Sequence, residues 1–410
     1  MSEVDMSKIP EKYRPKERVL KSIARAAERA AAREEAMERF KDKYGTQEEK
    51  KEEIEELKSG SESPQEDDLL YPDWSKLTKI EAPQESSSGV FILEFSNESR
   101  LVIKSSTDLP TEYWTMELFS TLGLKVPRQR VLGYHQKEYK TLKSNVTARL
   151  SAEVRLKFYS AFQRPFIMVM EYIEGTGFFQ LNRQTGPTSF NSVDSIGSYN
   201  LYDLGRVIGA DVLINNFDRC PLVWENDGNG GNIMFGPQLT GIYAIDSKAT
   251  CINDVDSCTK RNIENYFKKV DRLSAKCVEI LQTIKNKGGI EHVDLNDVKF
   301  YSLEKVGNFL NMWTLSEVTP RSYCCLVVGM VSMWATILEQ GKEIYCSGQE
   351  KALELHSEND WSNVWKDGLT LNMQFLNGIF DIIQLNLHSA QDELAYAREL
   401  SKTITDSIVQ

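Results

Sequence analysis

The hydrophobic pattern of this chain changes period once, and the order of its two halves restricts the fold more than any single residue does. Val90–Phe95 is β-branched and aromatic, Ser96-Asn97-Glu98-Ser99 is turn chemistry, and Leu101–Ile103 is a second apolar run. Together they predict a hairpin. Thr111–Leu122 predicts an amphipathic helix, with Trp114, Leu118 and Leu122 at helical spacing and Gly123 to Pro127 ending it. A strand pattern returns at Pro165–Tyr172. From Tyr199 onward helical periods dominate, broken by a polar loop at Asn215–Asn232, and no internal repeat is visible. The expected fold class is α+β: a small β-rich N-lobe with one helix over 68–172, an extended crossover, and a larger helical C-lobe over 173–410.

Residues 1–67 read differently. Lys21–Lys58 is dense in Ala, Glu, Lys and Arg, with a thin stripe of small residues, and Thr46–Lys58 is nearly all charge. Ser59–Asp68 is Gly/Ser/Pro/Glu-rich and reads as a linker. The expectation is a charged arm, helical or disordered, outside the folded body; a partner-docking helix is the sharper alternative, with few heptads to support it.

Composition narrows the function classes. A formal net charge of −11 over 410 residues, with no basic-aromatic patch, argues against a nucleic-acid binder. Seven scattered cysteines without a CxxC pair fit reduced thiols in a cytoplasmic setting. The four histidines, His135, His292, His356 and His388, stand too far apart for a metal cluster. The N-terminus is polar with no apolar core of a signal peptide. Cys324–Leu338, the most apolar stretch, falls short of the ~20 residues a spanning helix needs and predicts a buried core helix, not a membrane span.

The polar loop and its flanks carry the chemistry. Phosphoryl transfer needs a lysine on the non-reacting phosphates, an acid to hold that lysine, metal-binding oxygens, and a carboxylate to orient the attacking hydroxyl. Lys104 ends the strand after the hairpin, and Ser86-Ser87-Ser88-Gly89 precedes it with small residues whose backbone N–H groups could approach phosphates. Glu112 and Glu117 on the next helix are both candidate partners for Lys104. Phe166–Ile173 runs into Glu174-Gly175, a pattern that suits a lobe-connecting hinge whose backbone at Met170, Glu171, Tyr172 and Ile173 meets adenine. Asp218-Arg219 opens the polar loop, Asn232 leads into an apolar strand, and Asp246 closes the next one. In that order Asp218 suits the hydroxyl-orienting carboxylate, and Asn232 and Asp246 suit Mg²⁺, which prefers oxygen ligands. Taken alone each residue has a plainer role: a strand-end lysine, a first-turn acid complementing the helix dipole, a turn-rich surface hairpin. The ordered set is what points to a kinase.

The runs Asn215-Asn216-Phe217-Asp218-Arg219, Gly228-Asn229-Gly230-Gly231-Asn232-Ile233-Met234 and Ala244-Ile245-Asp246-Ser247 resemble the actin-fragmin kinase catalytic domain family, similar in fold to phosphatidylinositol kinases and protein kinases. Thr111-Glu112 through Leu124 and Pro127 looks like the lysine-pairing helix of that superfamily and favours Glu112 over Glu117. The resemblance covers about 70–410 and implies a two-lobed protein kinase-like fold and a Ser/Thr-directed protein kinase using ATP and Mg²⁺. It also implies a protein substrate that could be cytoskeletal, such as actin or tubulin. By motif it implies Lys104 and Glu112 as the phosphate pair, Asp218 as the base, and Asn232 and Asp246 as metal ligands. The chain departs from ordinary protein kinases in three places. Asp218 and Asn232 are far apart, leaving Asn229 open as an alternative ligand; Asp246 is followed by Ser247-Lys248; and the glycine loop shrinks to Ser86–Gly89. A lipid or small-molecule kinase of the same fold, and a catalytically silent kinase-fold binding module, remain the competing classes. The acidic chain speaks against an anionic membrane substrate.

Overall fold

The computed structural model describes residues 69–83, 89–181, 185–252, 257–354 and 362–408. The charged arm and linker at 1–67, and Ser86, Ser87 and Ser88 of the small-residue loop, lie outside the described residues.

The N-lobe is a five-stranded antiparallel sheet of β1 (Leu77–Glu81), β2 (Val90–Phe95), β3 (Arg100–Lys104), β4 (Gln129–Gly133) and β5 (Phe166–Glu171), in the order β1-β2-β3-β5-β4. The predicted hairpin is β2–β3. Its turn is held by Asn97, whose Oδ1 accepts from the Ser99 backbone N–H and hydroxyl. Side chains alternate across each strand. Phe91, Leu93, Phe95, Leu101 and Ile103 pack on one face of the sheet. Cross-strand neighbours Val90–Lys104, Ile92–Val102 and Glu94–Arg100 share the other face, as do Met168 and Met170 of β5.

The N-lobe carries three helices, not one. α1 (Leu109–Thr121) follows β3, and α2 (Lys137–Arg149) and α3 (Ala152–Ala161) are inserted between β4 and β5. Phe158 and Phe162 of α3 and its exit, stacked with centroids 3.9 Å apart, cover Phe91 on the face away from Lys104. Helix α1 is also not amphipathic. Residues on nearly every side of it are buried, because it is wedged between the sheet and the C-lobe.

After β5 the chain crosses to a small second sheet, β6 (Thr176–Gly177), β7 (Ile233–Phe235) and β8 (Ile242–Ala244). The C-lobe is otherwise helical. Its longer elements are α4 (Ser195–Ile214), α5 (Ser257–Lys287), α6 (Tyr301–Thr314), α7 (Pro320–Gln340), α8 (Glu343–Glu354), α9 (Ser362–Gly368), α10 (Met373–His388) and α11 (Gln391–Asp406). The apolar stretch around Cys324 lies in α7. That helix has 21 residues, long enough to cross a membrane, so length does not decide its role. Burial does: 78% of its most apolar window lies inside the protein, packed against α4 and α5.

Candidate active site

Lys104 is the last residue of β3, and its side chain leaves the sheet on the face shared with Val90, Ile92 and Val102. Its Nζ lies 2.8 Å from Glu112 Oε2 and also contacts Asp246 Oδ1. Burial pulls the Lys104 ammonium down, but Glu112 and Asp246 outweigh it, and the pKa lies above the ordinary lysine value. Glu112 sits in the first turn of α1 and is pinned from behind by the Ser106 hydroxyl, which donates to Oε1 at 2.9 Å. Glu117 lies elsewhere on the helix, where its Oε1 accepts from Gln129 Nε2 at 3.4 Å. The geometry therefore pairs Lys104 with Glu112.

Asp246 comes two residues after β8, in the left-handed region at φ 52°. Non-glycine residues there are uncommon and cluster at functional sites. The twist turns its half-exposed carboxylate toward Lys104.

The polar loop is not a solvated hairpin. Asn215 ends α4 in a left-handed conformation, and the chain then dives inward. Cys220, Leu222, Val223 and Trp224 are buried, and the Trp224 indole N–H donates to Asn215 Oδ1 at 2.7 Å. This plug accounts for the long separation between Asp218 and Asn232. Asp218 stays on the surface, where Asn232 Nδ2 donates to its backbone oxygen at 2.8 Å and to Oδ2 at 3.2 Å. Asn229 Oδ1 caps the following turn by accepting from Gly231 N–H at 3.0 Å. The Asn232 amide oxygen is engaged as well, accepting from Asn229 Nδ2 at 3.3 Å. That bond is the longer of the two, so Asn232 Oδ1 is the more readily released to a metal.

Sequence reasoning attached no role to the group that joins these parts. Arg219 is fully buried. Its Nε donates to Asp211 Oδ2 at 2.8 Å, Nη1 donates to the backbone oxygens of Asn232 and Ile245, and Nη2 donates to the Ser247 hydroxyl. Ile245 and Ser247 flank Asp246, so one guanidinium ties the Asp218–Asn232 loop to the Asp246 turn. Asp211 is held in addition by Asn216 Nδ2 at 2.7 Å. Burial pushes the Asp211 carboxyl up, while Arg219 and Asn216 pull it back. The signal was present as Asn216-Phe217-Asp218-Arg219, but a charged residue in a polar loop looks solvated until its neighbours are known.

Gly89, which leads into β2, has φ 120°, and a Cβ there would meet the Ser105 backbone oxygen at 2.4 Å. Only glycine lets the chain at this position approach the residue after Lys104 so closely. Among the hinge candidates, Met170 shares the Lys104 face of the sheet. Glu171 alternates to the other face and is engaged by Arg128: its backbone N–H donates to Arg128 O at 2.9 Å, and its Oε2 accepts from Arg128 N–H at 3.2 Å. Tyr172 and Ile173 begin the crossover. Tyr172 lies against Arg100, 5.0 Å from ring centroid to guanidinium, and the two line a pocket with Lys79, Glu81, Ile92 and Glu94 that does not include Lys104.

A buried lysine–glutamate pair at the end of a sheet face, met by the Asp246 carboxylate, with the Asp218 and Asn232 oxygens tied to the same turn, can engage a nucleoside triphosphate and a hard cation. The family model for the actin-fragmin kinase catalytic domain matches residues 50–304, more than half of the chain. The chain belongs to the actin-fragmin kinase catalytic family. It is 25% identical over 332 residues to a Dictyostelium discoideum protein provisionally named an actin-fragmin kinase, covering 76% of this chain and 73% of that one. A second such protein of the same organism is 26% identical over 167 residues, covering 38% of this chain and 37% of the other. Among solved structures, the Helicobacter pylori proinflammatory kinase CtkA is similar over 78% of this chain and 96% of its own, with 13% identity and a TM-score of 0.33. Every motif described above lies within the span matched to the kinase family.

Proposed function

We propose that this kinase transfers the γ-phosphoryl group of ATP to a Ser or Thr hydroxyl of a protein substrate. The observation that carries the reading is the convergence of Lys104, Glu112 and Asp246, with Asp218 and Asn232 tied to the same turn through Arg219. In this reading Lys104 holds the non-reacting phosphates, and Glu112 keeps the ammonium in place and charged. Asp246, and Asn232 once it gives up its 3.3 Å bond from Asn229 Nδ2, would supply oxygens for Mg²⁺, which would neutralise phosphate charge. Both are hard oxygen donors, and two protein ligands suit an ion that otherwise takes phosphate and water. Asp218, exposed and aimed by Asn232 Nδ2, orients the substrate hydroxyl and takes its proton. The hydroxyl oxygen bonds to the γ-phosphorus, the bond from that phosphorus to the β,γ-bridging oxygen breaks, and ADP leaves. An exposed carboxylate at the reaction centre suits a substrate presented from outside, as a protein loop would be. The family name makes actin and other cytoskeletal proteins, tubulin among them, the first substrates to try, and scattered free thiols suit a cytoplasmic enzyme.

The test uses purified protein, Mg²⁺ and γ-labelled ATP, with actin or tubulin as acceptor. Asp246→Asn and Lys104→Met should abolish transfer, losing about 10³-fold or more. Asp218→Asn should lose transfer while keeping the rise in melting temperature that nucleotide gives the wild type. Nucleotide stabilisation in the wild type without transfer to any acceptor would instead favour a silent binding module. The absence of both stabilisation and transfer would overturn the reading.

A further inference from the structure

The charge of helix α5 runs against that of the chain. The protein has a net charge of −11, yet α5 carries eight Lys and Arg against three Asp and Glu. Its far end is neutralised within the fold: Lys276 pairs with Glu279 at 2.6 Å, Lys285 with Asp392 at 3.9 Å, and Lys287 with Asp297 at 2.6 Å. Its near end is not. Arg261, Lys268 and Arg272 are exposed and make no ion pair among the described residues. At about 100° per residue the three fall within ~40° of one another, on the side opposite buried Tyr266, Val270 and Leu273. The row is about 16 Å long, the reach of roughly five residues of extended chain. The nearest acids on the helix are Glu264 and Asp271. Asp271 is turned toward α10, where its Oδ1 accepts from Asn386 Nδ2 at 3.0 Å.

This row adjoins the loop that carries Asp218. The Trp224 ring stacks on Tyr266 of α5 with centroids 6.5 Å apart, and Lys269 Nζ lies 2.9 Å from Glu225 Oε1. The neighbouring Asn226 then folds back to donate to the Phe217 backbone oxygen. Direct contacts thus lead from α5 to the residue before Asp218. The other basic surface, on α2 and α3, covers the sheet face turned away from Lys104 and has no such continuity.

We propose that Arg261, Lys268 and Arg272 form a docking row for an acidic run of the protein substrate, lying to one side of the hydroxyl presented to Asp218. The inference rests on the protein-kinase reading and adds the chemical class of substrate. A nucleic acid fits less well. Tyr266 and Phe267 turn inward against Trp224 and Phe375, so among the described residues the row has no ring on which a base could stack.

The test is binding, read by fluorescence anisotropy on the full chain at low salt, with two labelled peptides: a Thr-containing peptide rich in Glu, and the same peptide with Lys in place of Glu. The Glu peptide should bind and weaken as salt rises, because exposed charge pairs are screened. The triple reversal Arg261→Glu, Lys268→Glu, Arg272→Glu should weaken it about tenfold or more at low salt, with Lys268→Glu alone showing a smaller loss should the triple variant fail to fold. Reversal of Arg155 and Lys157 on α3 should leave it unchanged. Equal binding by wild type and reversed protein, binding of neither peptide, or preference for the Lys peptide would overturn the proposal. So would tighter binding of an oligouridine RNA than of the Glu peptide. Because the readout needs no turnover, loss of the phosphotransfer reading and loss of this one are separately visible.

Discussion

Arg219 spends its guanidinium wholly inside the protein, on Asp211, on two backbone oxygens and on Ser247. A buried ion pair adds little over a well-packed apolar pair, but removing one partner leaves an uncompensated charge. Arg219→Met strands the Asp211 carboxylate, which is fully buried. The expected loss is about 3–5 kcal/mol of folding stability, read by denaturant titration. Asp211→Asn with Arg219→Met should recover part of it, since both charges are then gone. If the single variant is as stable as the wild type, the clasp is not what joins the Asp218 loop to the Asp246 turn. The same residue shows where local reading stops. Its type and its place beside Asp218 were plain from the chain, whereas its burial follows from β8 and the polar loop closing over it.

At the scale of elements, α1 behaves as part of the C-lobe core although it follows an N-lobe strand. Trp114 is fully buried and donates from Nε1 to Tyr345 O at 3.3 Å. The Thr111 hydroxyl donates to Gly368 O at 3.0 Å, and the Thr115 hydroxyl accepts from Ala249 N–H at 3.0 Å. Glu112 is therefore carried on a helix fixed by α8, α9 and the segment after Asp246. Trp114→Ala should cost about 3–5 kcal/mol through the cavity it leaves, and should raise KM for ATP by loosening Glu112. Glu117→Ala, on the same helix but away from Lys104, should leave KM unchanged. Equal effects of the two on KM would mean that α1 does not position Lys104. The period of Thr111–Leu122 marked a helix correctly and misjudged its environment, because a helix covered on both sides needs apolar residues all round. Helices α2 and α3 escaped notice because their polar residues outnumber the few that reach the core, Tyr139, Leu142 and Val146 in α2.

Beyond the hinge and the contacts of α1 and Lys104, the lobes also meet behind α1. Ala244 N–H donates to Lys125 O at 2.9 Å, and Arg206 Nη2 donates to Gly123 O at 3.0 Å. Asp203 sits beneath this junction, accepting from Ile242 N–H at 2.8 Å with Arg206 Nη1 at 3.5 Å and Lys125 Nζ at 3.9 Å. Burial pushes its carboxyl up more than these partners pull it down. The folded protein then holds that proton more tightly than the unfolded chain does. The resulting stability is present below the ordinary carboxylate pKa of about 3.9 and is lost as pH rises through the raised folded value. Asp203→Asn should flatten the acid part of the melting temperature against pH curve; an unchanged slope would assign that titration elsewhere. The sequence by itself determined the β2–β3 hairpin, the helix that follows it, the strand at β5, the helical second half, the kinase resemblance and the identity of the chemical groups, since periodicity and turn chemistry act over a few residues. Only the tertiary structure decided that Lys104 meets Glu112 rather than Glu117, that the Asn229 and Asn232 side chains bond to each other, and that Arg219 is buried. Those outcomes depend on contacts such as the one between Lys104 and Asp246, 142 positions apart, which no local pattern encodes.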